Sequence, residues 1–88
     1  MPIGSMNGYP QKQEVPRDGT FLRSLYDLFT DHPNTPMQFE ADTRRERVKL
    51  RNAVELLRTF YGLEIVELHG AFRLVGEFVG DRYLDYSR

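Results

Sequence analysis

The segment from Thr43 to Gly62 constrains the fold more than any other part of the chain. Thr43-Arg44-Arg45-Glu46 has the spacing of a capping box, in which the threonine oxygen accepts from the amide three residues on and the glutamate reaches back to the cap's own amide. Leu50, Ala53, Val54, Leu57, Phe60 and Tyr61 then recur at the three- and four-residue spacing of one helical face. Gly62 follows, the residue type that most readily takes the left-handed conformation that ends a helix, with Leu63 placed to fold back onto it. The spacing predicts a helix from Arg44 to about Tyr61.

At about 100° per residue, Arg44, Val48, Arg51, Asn52 and Glu55 point away from that apolar face, with Arg45 and Arg47 flanking them. Between Arg44 and Arg58 six basic residues stand against two acidic ones, a balance of +4 in a chain of net charge -1, so the remainder carries -5. The arginines of the first two turns oppose the helix dipole, which favours acidic side chains there by about 0.3–1 kcal/mol each. Selection for stability alone does not place them there. A branched apolar side chain beside arginine and asparagine suits a major groove, where methyl meets thymine, Asn meets adenine and Arg meets guanine or phosphate. A solvated helix face, with Glu46, Glu55 and the arginines in weak surface pairs, accounts for the same residues equally well.

After Gly62 the run Leu63-Glu64-Ile65-Val66-Glu67-Leu68 alternates as a strand, and Ala71-Phe72-Arg73-Leu74-Val75 resumes after His69-Gly70. A two-residue turn there predicts a hairpin with Ile65, Phe72 and Leu74 on the core face and Glu64 and Arg73 on the other. Phe21, Leu22, Leu25, Leu28 and Phe29 predict an earlier core-facing helix of about three turns, capped by Asp18 or Thr20 and stopped at Pro33. Residues 34–42 carry two conflicting signals. Thr35-Pro36 opens a helix well, whereas Met37, Phe39 and Ala41 alternate; a short helix or turn is the preferred reading, with a strand added to the C-terminal hairpin as the alternative.

Residues 1–18, with Pro2, Gly4, Gly8, Pro10 and Pro16, show neither period and read as a flexible N-terminal arm, residues 1–5 having the look of a cloning remnant ahead of Met6. Lys12 and Arg17 in that arm read as solvated linker charges that could also touch phosphate. The folded domain is expected over residues 19–80, with residues 81–88 as a tail whose Tyr83, Leu84 and Tyr86 either close the core or form a homodimer contact.

An 88-residue chain of 28% charged residues holds one small domain with little room for a deep cleft. The absence of cysteine excludes disulfides, thiolate nucleophiles and cysteine-bound metal. His69 has no second histidine or carboxylate at metal spacing, and there is no phosphate-binding glycine loop or nucleophile elbow. No catalytic residue, metal site or cofactor is therefore expected, and the chain reads as a binding protein and not an enzyme. No apolar run reaches the roughly 20 residues of a membrane span, and no secretory pattern opens the chain, so a soluble cytoplasmic protein is expected.

The order of helix, Thr-Pro-led segment, long basic helix ending at Gly62, and hairpin with Gly70 at its tip resembles the winged helix-turn-helix DNA-binding superfamily over roughly residues 20–78. The stretch Gly62-Leu63-Glu64-Ile65 to His69-Gly70-Ala71-Phe72-Arg73-Leu74 is similar to the wings of small phage and bacterial regulators. The resemblance implies an α+β winged-helix-like fold, with two or three helices and a C-terminal β-hairpin. It implies base contacts from Arg44, Val48, Arg51 and Asn52, with Arg45 and Arg47 alongside, and wing contacts from His69 and Arg73. Double-stranded DNA is then the expected partner, in transcription regulation. Winged helices also bind proteins, so a small inhibitor or adaptor of a larger complex stands as the alternative.

Overall fold

The computed structural model describes residues 11–16 and 21–87. Its elements run β1 (Gln11–Glu14), α1 (Phe21–Asp31), β2 (Met37–Glu40), α2 (Arg44–Thr59), β3 (Leu63–Leu68), β4 (Ala71–Val79) and β5 (Arg82–Asp85). The result is an α+β fold, a five-stranded mixed sheet sharing one apolar core with two helices. Neither helix is long and apolar enough to cross a membrane.

The first helix forms as expected. Phe21, Leu25 and Phe29 recur every four residues and all three are buried, while Leu22 and Leu28 pack at the core's margin. Pro33 follows soon after its end, where the ring forbids continuation. Asp18 and Thr20, the expected caps, lie outside the described residues.

Thr43 is the N-cap of α2, its hydroxyl accepting from the Glu46 amide at 3.1 Å. The Glu46 carboxylate accepts from the Asp42 amide at 2.9 Å, one residue before the expected cap amide. Leu50, Ala53, Val54 and Leu57 form the buried stripe. The helix stops earlier than the spacing suggests. Phe60 caps it, and Gly62, with φ +71°, turns the chain into β3. Phe60 and Tyr61 therefore leave the apolar face: Phe60 is 78% exposed, and the Tyr61 ring rests 5.4 Å from that of Tyr26.

The segment led by Thr35-Pro36 is a strand, which corrects the preferred reading as a short helix or turn. Met37 and Phe39 are buried while Gln38 and Glu40 are exposed. On a helix, residues two apart diverge by about 200°, so only extended backbone turns both apolar side chains into one core. There the Phe39 ring sits between those of Phe29 and Phe72, 5.9 and 6.3 Å away.

Part of the expected arm is also a strand. β1 runs parallel to β2, from Gln11 opposite Met37 to Glu14 opposite Glu40, and Val15 after it is buried. Its side chains are polar, so no apolar period announces it; main-chain pairing holds it, and α1 supplies the crossover that parallel strands require. Residues 1–10 and 17–18 of that arm lie outside the described residues.

The sheet order is β1-β2-β4-β3, with β5 also on β4. β4 is long enough to serve two neighbours along one edge, Met37 of β2 at Phe72 and β5 at Gly76 to Val79. Across its other edge lies the expected hairpin, whose turn residues His69 and Gly70 both have positive φ, 55° and 80°. That is the geometry of a type I′ turn. Ile65 pairs with Leu74 but Glu64 with Gly76, which leaves Val75 as an extra residue on β4. The alternation restarts beyond this bulge, and Phe78 comes to the face that carries Glu64, away from the core. Residues 82–85, expected in a tail, pair with β4 after a turn at Gly80 and Asp81, and Tyr86 packs on the core.

Candidate nucleic-acid interface

The capping box that starts α2 also decides which charges are left over. Glu46 is the acidic residue of the first turn, and its carboxylate is engaged by the Asp42 amide. Arg44, Arg45 and Arg47 are exposed, and among the described residues none of the three meets a carboxylate; Arg47 only reaches the Ala41 carbonyl, at 3.5 Å. The other cations of the helix are occupied. Lys49 lies 4.6 Å over the Phe21 ring, Arg51 makes a two-pronged pair with Glu67 at 3.1 and 3.2 Å, and Arg58 bonds both Glu55 and the Ile65 carbonyl.

Glu67 is the residue that sequence reasoning missed. Leu63 and Ile65 face the core, and the same alternation carries Glu67 toward α2, where it meets Arg51 beside the buried Leu50. The signal was legible as a strand face that ends in an acid opposite a helix rich in base. Of the residues expected to read bases, Arg51 is thus held against β3, whereas Arg44, Val48 and Asn52 remain on the open side of the helix. Val48 is 48% exposed one turn from Arg44 and one turn from Asn52.

The hairpin contributes unequally. Gly70 lines the same cavity of about 210 Å³ as Arg47, Arg51 and Glu67, so the tip with exposed His69 stands beside the N-terminal half of α2. Arg73 does not join them. It pairs with Val66 between the core-facing Phe72 and Leu74, which puts it on the sheet face away from both helices.

A second surface lies at the far end of the sheet. The Tyr83 hydroxyl donates to Glu64, and the rings of Tyr83 and Phe78 are 4.9 Å apart. That hydrogen bond first, then desolvation and the nearby charges of Glu64 and Asp85, push the Tyr83 phenol up to about 12. Tyr86 donates to Glu77 at 2.7 Å, which raises its phenol too. Phe78, Val79, Tyr83 and Leu84 are nonetheless 40–59% exposed. Among the described residues no cluster of His, Asp and Glu could hold a metal ion.

No protein-family model matches this chain, and no curated protein or solved structure matches it significantly either.

Proposed function

We propose that the chain is a small, non-catalytic duplex-DNA-binding protein, acting in transcription regulation, whose contact surface is the N-terminal half of α2. The observation that carries this reading is the trio Arg44, Arg45 and Arg47, exposed and without a carboxylate partner among the described residues, on a helix whose remaining cations are engaged. Three such guanidinium groups at the positive end of a helix dipole raise the local potential, and a phosphate backbone relieves it through charge-assisted hydrogen bonds. Val48 and Asn52, on the same open side, supply the apolar and amide groups that base edges accept.

The winged-helix reading is supported by α2 lying beside the tip of an antiparallel hairpin and by β2 pairing with that hairpin's second strand. In place of the second helix of a helix-turn-helix stand β2 and a three-residue connection. The proposed arrangement is therefore a reduced one, a reading helix and a wing. The test is a fluorescence-anisotropy titration with random duplex DNA at low salt, comparing the native chain with a triple Arg44→Ala, Arg45→Ala, Arg47→Ala variant. Abolished binding in a variant that still folds supports the reading; equal binding removes it.

A second reading, a protein-interaction module acting as a small inhibitor or adaptor, draws on a different observation. Phe78 and Val79 are each more than half exposed, and the Phe78 ring packs 4.9 Å from that of Tyr83, an apolar patch at the end of the sheet from which residues 83–88 run. Capture of one defined protein partner that is abolished by removing residues 83–88, together with no DNA binding at low salt, would favour it.

A further inference from the structure

The groove of about 620 Å³ at the far end of the sheet, between Arg58, Phe78 and Tyr83, has its polar side chains paired: Tyr83 donates to Glu64, and Arg58 donates to Glu55 and to the Ile65 carbonyl. The cavity of about 210 Å³ beside the N-terminal half of α2 is different. Every residue lining it is a described one, and its rim carries two guanidinium groups, Arg47 and Arg51, against one carboxylate, Glu67. Glu67 holds Arg51 in the two-pronged pair, whereas Arg47 reaches only the Ala41 carbonyl, at 3.5 Å. One positive charge of the rim is left over.

The fold brings these groups together for local reasons. Arg47, Leu50 and Arg51 stand at i, i+3 and i+4 and so share one face of α2. Glu67 and Phe72 are directly opposed in the hairpin, which turns both to the same side of the sheet. The alternation of β2 adds Phe39. The floor is therefore apolar and aromatic: Phe39, Leu50 and Phe72 belong to the core, with the two rings 6.3 Å apart and inclined at 55°.

We propose that this cavity binds a small aromatic monocarboxylate, its ring on Phe39, Leu50 and Phe72 and its carboxylate on the Arg47 guanidinium. Three properties select that class. The uncompensated charge of the rim is single, which a monoanion matches and a dianion exceeds. A guanidinium fork takes a planar carboxylate through two parallel hydrogen bonds. The volume lies below the roughly 300–1,000 Å³ of sites for drug-sized ligands, so the occupant has about one ring, and the tilted rings of the floor favour an aromatic one in edge-to-face contact. Where the chain binds DNA, the ligand also regulates it, because a carboxylate on Arg47 takes that side chain from phosphate. This consequence rests on the DNA reading; the site itself does not.

Benzoate is the probe, with benzamide, which keeps the ring and loses the charge, and acetate, which keeps the charge and loses the ring, as controls. Titration of the isotope-labelled full chain at constant ionic strength, followed by amide NMR spectra, is expected to move the amides of Ala41, Arg47, Arg51 and Gly70 in a saturable way. Benzoate is expected to bind at least about tenfold more tightly than either control, and Arg47→Ala, an exposed position whose replacement leaves the core intact, to weaken it by about tenfold, to the level of benzamide. Scattered shifts without saturation, equal binding of benzamide, or a benzoate affinity unchanged in Arg47→Ala would each overturn the site. In a DNA titration at low salt, saturating benzoate is expected to lower affinity by about fivefold to tenfold relative to acetate at equal concentration, the contribution of one phosphate contact. Benzoate that binds as described but leaves DNA affinity intact would overturn the competition, whereas a chain that takes up benzoate and no DNA would support the site and fail the DNA reading alone.

Discussion

The two exposed surfaces of this molecule are built in opposite ways. At the start of α2 a capping box engages the main chain, and what lacks a carboxylate partner among the described residues is side-chain charge, in Arg44, Arg45 and Arg47. At the far end of the sheet the polar side chains are paired, Tyr83 with Glu64 and Tyr86 with Glu77, and what stands exposed is apolar, in Phe78, Val79 and Leu84. The first surface suits a partner that offers phosphates. The second suits one that offers apolar area. Both rest on the same core, which runs from Phe29 through Phe39 and Phe72 to Leu57.

That shared base gives the largest expected effect. Leu57 is fully buried in α2, and Leu57→Ala is expected to lower unfolding free energy by about 2–5 kcal/mol, measured by urea denaturation. A decrease below about 0.5 kcal/mol would mean that α2 is not docked as described.

A selective way to separate the surfaces is Gly76→Ala. A Cβ there would meet the Tyr83 ring and lie 2.8 Å from the Leu84 carbonyl, so the ribbon of β4 and β5 must shift. The expected cost is about 1–3 kcal/mol, with DNA affinity unchanged once the protein is folded. Thr43→Ala acts at the opposite end, removing the hydroxyl that accepts from Glu46, at an expected cost of about 1 kcal/mol. Equal effects of both variants on DNA binding would erase the distinction between the two regions.

A smaller effect concerns the charge of α2. Glu67→Gln frees Arg51 from its pair, and DNA affinity at low salt is expected to rise by roughly threefold to tenfold as one more cation becomes free to meet phosphate. A fall in affinity would instead assign Glu67 to the DNA-facing surface.

The smallest effect is on alkaline stability. Below about pH 10 the Tyr83 phenol is protonated whether the chain is folded or not. Above that, the unfolded chain releases the proton while the folded chain keeps it until about pH 12, so stability falls across this interval as pH rises. In a phenolate absorbance titration of the five tyrosines a late component is expected from Tyr83, with Tyr86 also raised by its bond to Glu77, and Tyr83→Phe should reduce that late component by one phenol. Titration of all five in a single step near the ordinary value would contradict the Tyr83–Glu64 bond.

The contrast between the surfaces also explains what can be read from sequence. The α2 surface is legible because helices announce themselves locally: Thr43 and Glu46 close the box within one turn, and Leu50, Ala53, Val54 and Leu57 mark the buried face by spacing alone. The hairpin is equally local, with His69-Gly70 at its turn. Short edge strands are different, since their stability comes from a main-chain partner far away in sequence. β1 is four polar residues held by β2, and β5 is held by a strand whose bulge at Val75 resets the alternation. β2 misleads because Pro36 is a strong local helix signal and the demand to bury Met37 and Phe39 together is a tertiary one. For the site, the open arginines are legible from position, whereas the capture of Arg51 by Glu67 and the placing of Arg73 on the far face require strand register.

The three open arginines at the start of α2, and not Arg51, are proposed to neutralise DNA phosphates. The direct measurement is the dependence of binding on salt concentration for random duplex DNA, made with the native chain, the Arg44/Arg45/Arg47 triple alanine variant and Arg51→Ala. Each phosphate that is no longer neutralised lowers the slope of log affinity against log salt by about 0.9. The triple variant is expected to shed between two and three such steps, a drop of about 1.8–2.7, and Arg51→Ala to leave the slope unchanged. A slope unaltered in the triple variant, or a full step removed by Arg51→Ala, would contradict this assignment.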